Sequence, residues 1–249
     1  MPERTIMRIA LVSDIHSNLV ALETVLGVLP AHDQLWCLGD TIGYGPRPNE
    51  CLTHVRDHAT YVLTGNHDLA CLGEVSLADF NALARTANEW NNRQLQPELR
   101  VYLHERPATL TVEQMATLAH ASPRDPIWEY ILDVETALDN LRYFNTALCL
   151  VGHSHVPTIF ALHAGEKVEF VAAQHGQAVQ LRPGSRYIFN PGSVGQPRDG
   201  DPRAAYAIWD TEAATMRFER VEYDIAATQR QMREARLPSM LVERLSYGR

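Results

Sequence analysis

Thr60-Tyr61-Val62-Leu63-Thr64-Gly65-Asn66-His67-Asp68 decides how the rest of the chain is read. Its first half is a short apolar, β-branched run, the pattern of a buried strand. Its second half is a turn that sets an amide, an imidazole and a carboxylate side by side. Turns that follow buried strands are where α/β proteins carry their chemistry. Comparable turns lie on both sides of it: Asp14-Ile15-His16, Gly39-Asp40, His120 and Gly152-His153-Ser154-His155. Each follows an apolar run. The recurrence predicts one site on which several strand ends converge.

Toward the N-terminus, residues 6–12 read as a buried strand bounded by Ser13-Asp14. Asn18 caps a helix with Leu19, Leu22, Val25, Leu26 and Leu29 on one face, ending at Pro30, and residues 34–38 form a second strand. This β-α-β order predicts a parallel pair with a right-handed crossover, which points Asp14 and Asp40 out of the same sheet edge. A Gly- and Pro-rich loop over 41–48 and a helix over 49–58 lead to the strand at 60–64. Beyond it, Ser76 and Asp79 open a long helix to about Leu95, and Pro97 begins another that ends near Glu105. Residues 109–112 and 115–119 read as a hairpin that delivers His120, followed by a loop over 121–127, a helix over 133–144 and a strand over 147–151. Past His155 come β-like runs at 158–162, 168–172, 178–181, 186–190, 204–209 and 215–221, then helices at about 224–235 and 238–246. The order implies an α/β (α+β) chain with two sheets face to face and helices outside, a four-layer αββα double β-sandwich. It reads as one domain over 1–249, with a helical insert at about 70–107 that serves either as a lid or as packing.

An apolar content of 45% with 21% charged residues is ordinary for a globular chain and argues against disorder. The formal net charge of -8 leaves no basic footprint for tracking a phosphate backbone, which argues against tight nucleic-acid binding. Divalent cations would nevertheless make the site itself positive where a substrate lands. The cysteines Cys37, Cys51, Cys71 and Cys149 are widely spaced, and the first and last sit in apolar runs, so all are read as reduced thiols. No apolar run approaches the ~20 residues needed to cross a bilayer. No signal-peptide core precedes the first strand, so a cytoplasmic protein is expected, with homo-oligomerisation left open.

Divalent ions that drive hydrolysis near neutral pH take mixed oxygen and nitrogen ligands. Asp14, His16, Asp40, Asn66, His120, His153 and His155 supply that mixture, each at the end of an apolar run. Asp-x-His and His-x-His on extended backbone put both side chains on one face, so they converge. Two-metal sites hold their ions ~3.5–4 Å apart, which requires a shared ligand. Singly, each residue has a plainer explanation: Asp14 and Asp40 as turn residues, Asn66 as a residue tolerant of positive φ, the histidines as solvated surface. Their co-occurrence in order is what the plain explanations do not cover. His67, next to Asn66, points to the other side of its turn, where an imidazole can protonate a departing alkoxide. Asp68 is expected to orient that ring. The expected nucleophile is a water activated by the metals, attacking phosphorus in line.

Tyr44, Arg124 and Arg198 are candidate substrate contacts, since a guanidinium matches phosphate oxygens, although a surface arginine is commonly just solvated. His32, His54, His58, His104, His163 and His175 lack a strand-end setting and read as surface or loop residues. Trp36 and Trp209 read as core.

The set Asp14-Ile15-His16, Gly39-Asp40, Gly65-Asn66-His67-Asp68, His120 and Gly152-His153-Ser154-His155 resembles the signature of the calcineurin-like metallophosphoesterases, D-x-H, G-D, G-N-H-[DE], H and G-H-x-H. The resemblance spans roughly residues 6–210. It implies a double β-sandwich flanked by helices and two divalent ions drawn from Mn, Fe, Ni and Zn. It implies that Asp14, His16 and His155 hold one metal, that Asn66, His120 and His153 hold the other, and that Asp40 bridges them. It makes His67 the catalytic acid. The run from Asn190 to Arg198, NPGSVGQPR, also looks like the branch of small bacterial phosphodiesterases related to the retromer small subunit. The function so implied is hydrolysis of a small, nucleotide-like phosphate diester. A phosphomonoesterase or phosphoprotein phosphatase is the nearest alternative, and a non-catalytic protein-interaction scaffold or a nuclease is a further one. A scaffold would be expected to have lost ligands, and here every one is present.

Overall fold

The computed structural model describes residues 6–113, 115–164 and 167–249. Residues 1–5, on which the expectation about a leader partly rests, lie outside them. In chain order the elements are β1 (Arg8–Val12), α1 (Leu19–Val28), β2 (Gln34–Cys37), α2 (Pro48–His58), β3 (Tyr61–Val62), α3 (Asn66–Leu72), α4 (Ala82–Gln94) and α5 (Pro97–His104). There follow β4 (Thr109–Val112), β5 (Ala116–Ala119), α6 (Val134–Asn140), β6 (Leu148–Val151), β7 (Thr158–Leu162) and β8 (Val168–Ala172). The chain closes with β9 (Ala178–Gln180), β10 (Arg186–Asn190), β11 (Ala204–Asp210), β12 (Thr215–Val221), α7 (Ile225–Glu234) and α8 (Ser239–Arg244).

The strands form two six-stranded sheets, ordered β3-β2-β1-β11-β12-β9 and β4-β5-β6-β10-β7-β8. Side-chain alternation along β1 shows how they pack. Ile9 and Leu11 face inward, with Trp36 and Leu38, onto Leu118, Leu150, Ile159 and Phe189 of the second sheet. Ala10 and Val12 face outward onto Ala21, Leu22 and Val25 of α1 and Val55 of α2. On the far side, Ala137 and Leu141 cover Cys149, Val151 and Ile188. Helix, sheet, sheet and helix therefore stack as four layers, the double β-sandwich that the order of elements implied. The four cysteines are buried, unpaired thiols. Among the described residues no helix is long and apolar enough to cross a membrane.

The β1-α1-β2 unit forms as its sequence dictates. Asn18 accepts the Ala21 N–H at 3.2 Å and starts α1, and the helix stops at Val28 because Leu29, which precedes a proline, is held extended. β1 and β2 are parallel, with Val12 beside Cys37. Truncating buried Leu22 to alanine would cost about 2–5 kcal/mol.

Four local expectations are corrected. The strand at 60–64 shrinks to Tyr61–Val62: it is an edge strand paired to β2, and past Leu63 the Thr64 N–H turns away to Pro107 O at 2.9 Å. Gly65-Asn66-His67-Asp68 is not merely a turn but the first turn of α3, with Gly65 extended before it. The single helix expected over 76–95 is two pieces. Ser76 caps a 3-10 turn at Leu77–Asp79, Phe80 is extended, and Asn81 caps α4 by accepting the Leu83 and Ala84 N–H groups. The break lets the Phe80 ring turn inward, 5.0 Å from the His67 ring and 5.3 Å from that of Trp128. The helix over 133–144 is likewise shorter, ending at Asn140.

Candidate metal centre

The expected strand-end residues come together where the two sheets adjoin. Asp14 and His16 follow β1, Asp40 follows β2, Asn66 opens α3 after β3, His120 follows β5, and His153 and His155 follow β6. Asp14, His16, Asp40, His153 and His155 all have φ between 50° and 65°, a left-handed conformation rare for side chains of this size. Such strain persists only where the surroundings over-determine it. Here they do: Asp14 N–H donates to Gly39 O and His16 N–H to Asp40 O, each at 3.0 Å. The NPGSVGQPR run closes over the same turns. Ser193 Oγ donates to Asp14 O at 2.7 Å, Gly195 N–H donates to Asp14 O at 3.0 Å, and Asn190 Nδ2 donates to Ser154 Oγ at 2.9 Å.

Two donor groups result, and they share one carboxylate. Asp14, His16, Asp40 and His155 form the first, and Asp40, His120 and His153 the second; within each, the donor atoms lie within 4.8 Å of one another. Asp40 Oδ2 is 3.6 Å from His16 Nε2 and 3.4 Å from His120 Nε2. Asn66 Oδ1 is 3.3 Å from His120 Nε2 and so extends the second group. Asp14 Oδ1 is 3.5 Å from His155 Nε2, and both Asp14 oxygens accept the His153 N–H at 3.1 Å.

The imidazoles are oriented from behind by carbonyl oxygens, which can only accept. His16 Nδ1 faces Ile42 O at 3.2 Å, His120 Nδ1 faces Leu38 O at 2.9 Å, His155 Nδ1 faces Gln196 O at 2.6 Å, and His153 Nε2 faces Trp128 O at 3.3 Å. Each therefore carries a proton on the outer nitrogen and turns its other ring nitrogen inward, the arrangement used to fix metal-ligating histidines. His16 Nε2 and His155 Nε2 then confront each other, lone pair to lone pair, at 3.1 Å. Among the described residues Asp40 Oδ2 is buried with no hydrogen-bond partner, only the His16 and His120 nitrogens standing 3.6 and 3.4 Å away. Facing lone pairs and an orphaned carboxylate oxygen are costly unless a cation sits among them. The residues present fit divalent metals.

Protonation in the absence of cations tells the same story. Burial holds His16 and His155 well below the ordinary imidazole range and takes His153 down to about 3. Burial also opposes charge on His120, yet the adjacent Asp40 carboxylate outweighs it and raises that imidazole to about 9. Burial would raise Asp40, but His120 and His67 hold it well below the carboxylate range. Burial pushes Asp14 up to about 7. The site thus keeps Asp40 ionised and borrows a proton on His120 where a metal would otherwise supply positive charge.

His67 stands beside this centre. Its N–H donates to Asp40 Oδ1 at 2.9 Å, and its ring lies 4.9 Å from that of His16 and 4.3 Å from that of Tyr44. Burial lowers its pKa from the usual value. Asp68 does not orient it, contrary to the sequence-based expectation. The Asp68 carboxylate accepts the N–H groups of Gly65 (2.9 Å), Ile42 (3.0 Å) and Thr41 (3.3 Å), tying the loop after Asp40 to the start of α3. A residue three positions into a helix reaches back to the cap rather than sideways to its neighbour. The partner of His67 Nδ1 is Asn88 Oδ1 on α4, at 2.9 Å.

Tyr44 and Arg198 both reach the site. The Tyr44 ring is 4.7 Å from that of His16, and its hydroxyl accepts from Arg198 Nη2 at 3.3 Å. Arg198 Nη2 also donates to Gln196 Oε1, while its Nε is buried without a partner among the described residues. Arg124 is engaged elsewhere: its guanidinium pairs with Glu129 and, at 3.3 Å, with Asp139. Sequence reasoning passed over Asn88, Phe80 and Tyr130, whose ring stacks on His153 at 4.0 Å. The one available signal was Asn88 itself, an amide among the buried Ala84, Ala87 and Asn91 of an amphipathic helix.

Residues 7–214 match the calcineurin-like phosphoesterase superfamily domain. The chain belongs to that superfamily. It is 38% identical to an uncharacterised protein of Methanocaldococcus jannaschii over 97% of this chain and 98% of that one. The crystal structure of a metallophosphoesterase from Sphaerobacter thermophilus is 48% identical, with a TM-score of 0.89, covering 98% of this chain and 100% of that one. A symmetrical bis(5'-nucleosyl)-tetraphosphatase of Thioalkalivibrio sulfidiphilus is 41% identical over 71 residues, 26% of each chain. Superfamily membership makes the protein a phosphoester hydrolase of a divalent-metal-binding family.

Proposed function

We propose that the protein is a dinuclear-metal phosphodiesterase acting on a small, nucleotide-like diester. The observation that carries this reading is the pair of inward-facing donor groups sharing Asp40, whose Oδ2 has no other partner. Asp14, His16 and His155 would hold one cation and Asn66, His120 and His153 the other, with Asp40 common to both. The mixed nitrogen and oxygen set suits Mn, Fe, Ni or Zn. When bound, such ions polarise a phosphoryl group and acidify water.

The remaining work falls to the chain. His67, with Nδ1 turned to Asn88, presents Nε2 to the centre and protonates the leaving oxygen. A phosphate anion beside the ring opposes the burial that lowers its pKa, so the proton is acquired as substrate binds. Arg198 and Tyr44 receive phosphate oxygens; a guanidinium bonded only to neutral oxygens has its charge free for an anion. The buried aromatic surroundings exclude water from the ring of His67. A nucleotide-like substrate is supported by the tetraphosphatase relative, whose name gives a dinucleoside tetraphosphate as its substrate.

The test is hydrolysis of bis-p-nitrophenyl phosphate against p-nitrophenyl phosphate after metal stripping and restoration with Mn, Fe, Ni, Zn or Mg. Asp40→Asn and His67→Ala are run alongside. Diester turnover that depends on metal and is lost in both variants is expected. Turnover of the monoester alone would replace this reading with a phosphomonoesterase. No turnover despite two bound ions would turn attention to the scaffold.

A further inference from the structure

Helix α4 sends two buried amides toward the centre, one turn apart, and they are used differently. Asn91 has every polar atom occupied. Its Oδ1 accepts Ser17 Oγ at 2.7 Å and Gly43 N–H at 3.2 Å, and its Nδ2 donates to Gly45 O at 3.2 Å and Ala87 O at 3.0 Å. It fastens the loops behind His16 and Asp40, which is a structural task. Asn88 is as deeply buried, but its Nδ2 has no hydrogen-bond partner among the described residues. Its Oδ1 serves His67 Nδ1 at 2.9 Å, with only a long contact to Cys71 Sγ at 3.8 Å besides. An orphaned buried amide nitrogen is destabilising. A side chain kept there for packing or stability alone would be better apolar.

The surroundings are cut to fit the pair. Gly43 has left-handed backbone (φ +99°), and a Cβ on it would fall 2.9 Å from His67 Nδ1 and 3.1 Å from Asn88 Oδ1. Tyr44, His16 and Phe80 pack around the His67 ring and fix its plane, but none of them fixes which nitrogen carries the proton. The four ligand histidines have main-chain carbonyls for that purpose. His67 alone among these histidines has a side chain instead.

We propose that Asn88 is a positioning residue that holds His67 as its Nδ1–H tautomer, leaving Nε2 to face the substrate. The inference rests on the assignment of His67 as the proton donor. The insert is then neither a lid nor mere packing: it supplies the group that aims the catalytic histidine.

Two measurements on the zinc-loaded protein test it. Long-range proton–nitrogen spectra of the histidine rings report the tautomer without any turnover. His67 is expected as Nδ1–H in the wild type and as a mixture in Asn88→Ala; an Nε2–H tautomer in the wild type, or no change in the variant, overturns the proposal. The second compares methyl p-nitrophenyl phosphate, whose leaving group needs no proton, with methyl phenyl phosphate, whose leaving group does. Asn88→Ala is expected to slow the phenyl ester about 10²-fold and the nitrophenyl ester by less than about threefold. Asn88→Asp, which keeps an acceptor for the Nδ1–H, is expected to restore the phenyl ester, and Asn88→Ala on a His67→Ala background to add no further loss. Asn91→Ala, the structural comparator, lowers the melting temperature and slows both esters alike; the same behaviour in Asn88→Ala refutes a positioning role. A wild type inactive on both esters with the expected tautomer would sink the phosphodiesterase reading and leave the Asn88–His67 geometry standing.

Discussion

Gly65→Ala tests whether the centre is as tightly built as its distances imply. Gly65 has φ −113° and ψ −178°, extended backbone that alanine adopts freely, so any effect is steric. A Cβ there would lie 2.2 Å from Asp40 Oδ1, 2.7 Å from Asp40 N and 2.7 Å from His120 Cε1. Restoring ordinary contact at 3.4 Å requires the Asp40 oxygen to move by 3.4 − 2.2 = 1.2 Å. No flexible stem is available to absorb this, because Asp40 is buried and its Oδ1 already accepts the His67 N–H. Overpacking of this kind costs about 1–3 kcal/mol, which at ~2–4 °C per kcal/mol for a chain of this size lowers the melting temperature by roughly 2–12 °C. The functional loss should be larger, since displacing a catalytic group by about 1 Å costs on the order of 10²-fold in rate. Asp40, common to both donor groups, moves, so on the proposed two-metal reading affinity for both ions should fall together. The assay is kcat/KM on bis-p-nitrophenyl phosphate, with metal stoichiometry by elemental analysis and melting by calorimetry. A Gly65→Ala protein that binds two metals with wild-type affinity and turns over at the wild-type rate would refute the reasoning.

Other outcomes follow from the same geometry. Asp68→Ala strands the N–H groups of Gly65, Ile42 and Thr41, and at ~1–3 kcal/mol for each buried unsatisfied donor it should destabilise the protein by roughly 3 kcal/mol or more; a variant with unchanged denaturant midpoint would contradict the bracing role. Arg198→Ala should raise KM by about tenfold or more, the equivalent of a charged hydrogen bond worth ~1.5–3 kcal/mol, while changing kcat less; an unchanged KM would remove Arg198 from substrate binding. In metal-free protein the folded pKa of His120, about 9, lies above its unfolded value. Its stabilising contribution is therefore complete below about pH 6.5 and lost as pH rises through 9. Asp14 and Asp68, raised by burial from 3.8 to about 7, act in the same direction but lower in pH, their contribution being lost between about pH 4 and 7. The melting temperature of metal-free protein should fall between pH 6.5 and 9 more steeply than that of metal-loaded protein, where cations replace the borrowed proton; parallel slopes would show that the centre does not bind them.

The sequence by itself determined the parts of this protein that are local or periodic. Apolar runs of strand length, ended by Asp14, Asp40, Asn66, His120 and His153, gave the strands and placed the donors at their ends, because period and turn chemistry are written in consecutive residues. Asn18 before an apolar stripe and Pro30 after it fixed α1 for the same reason. Tertiary structure decided what depends on residues far apart in the chain. The 76–95 helix breaks at the Asn81 cap, and the break puts the Phe80 ring against His67, a contact that no helical pattern records. Arg124 is paired with Glu129 and Asp139, and its own neighbours in sequence do not announce that pairing. The clearest case is His67. Asp68 stands beside it in sequence and looked like its partner, but an α-helical first turn sends that carboxylate back to the Gly65 N–H. The partner comes instead from Asn88, on a helix that only the packed fold brings to within 2.9 Å.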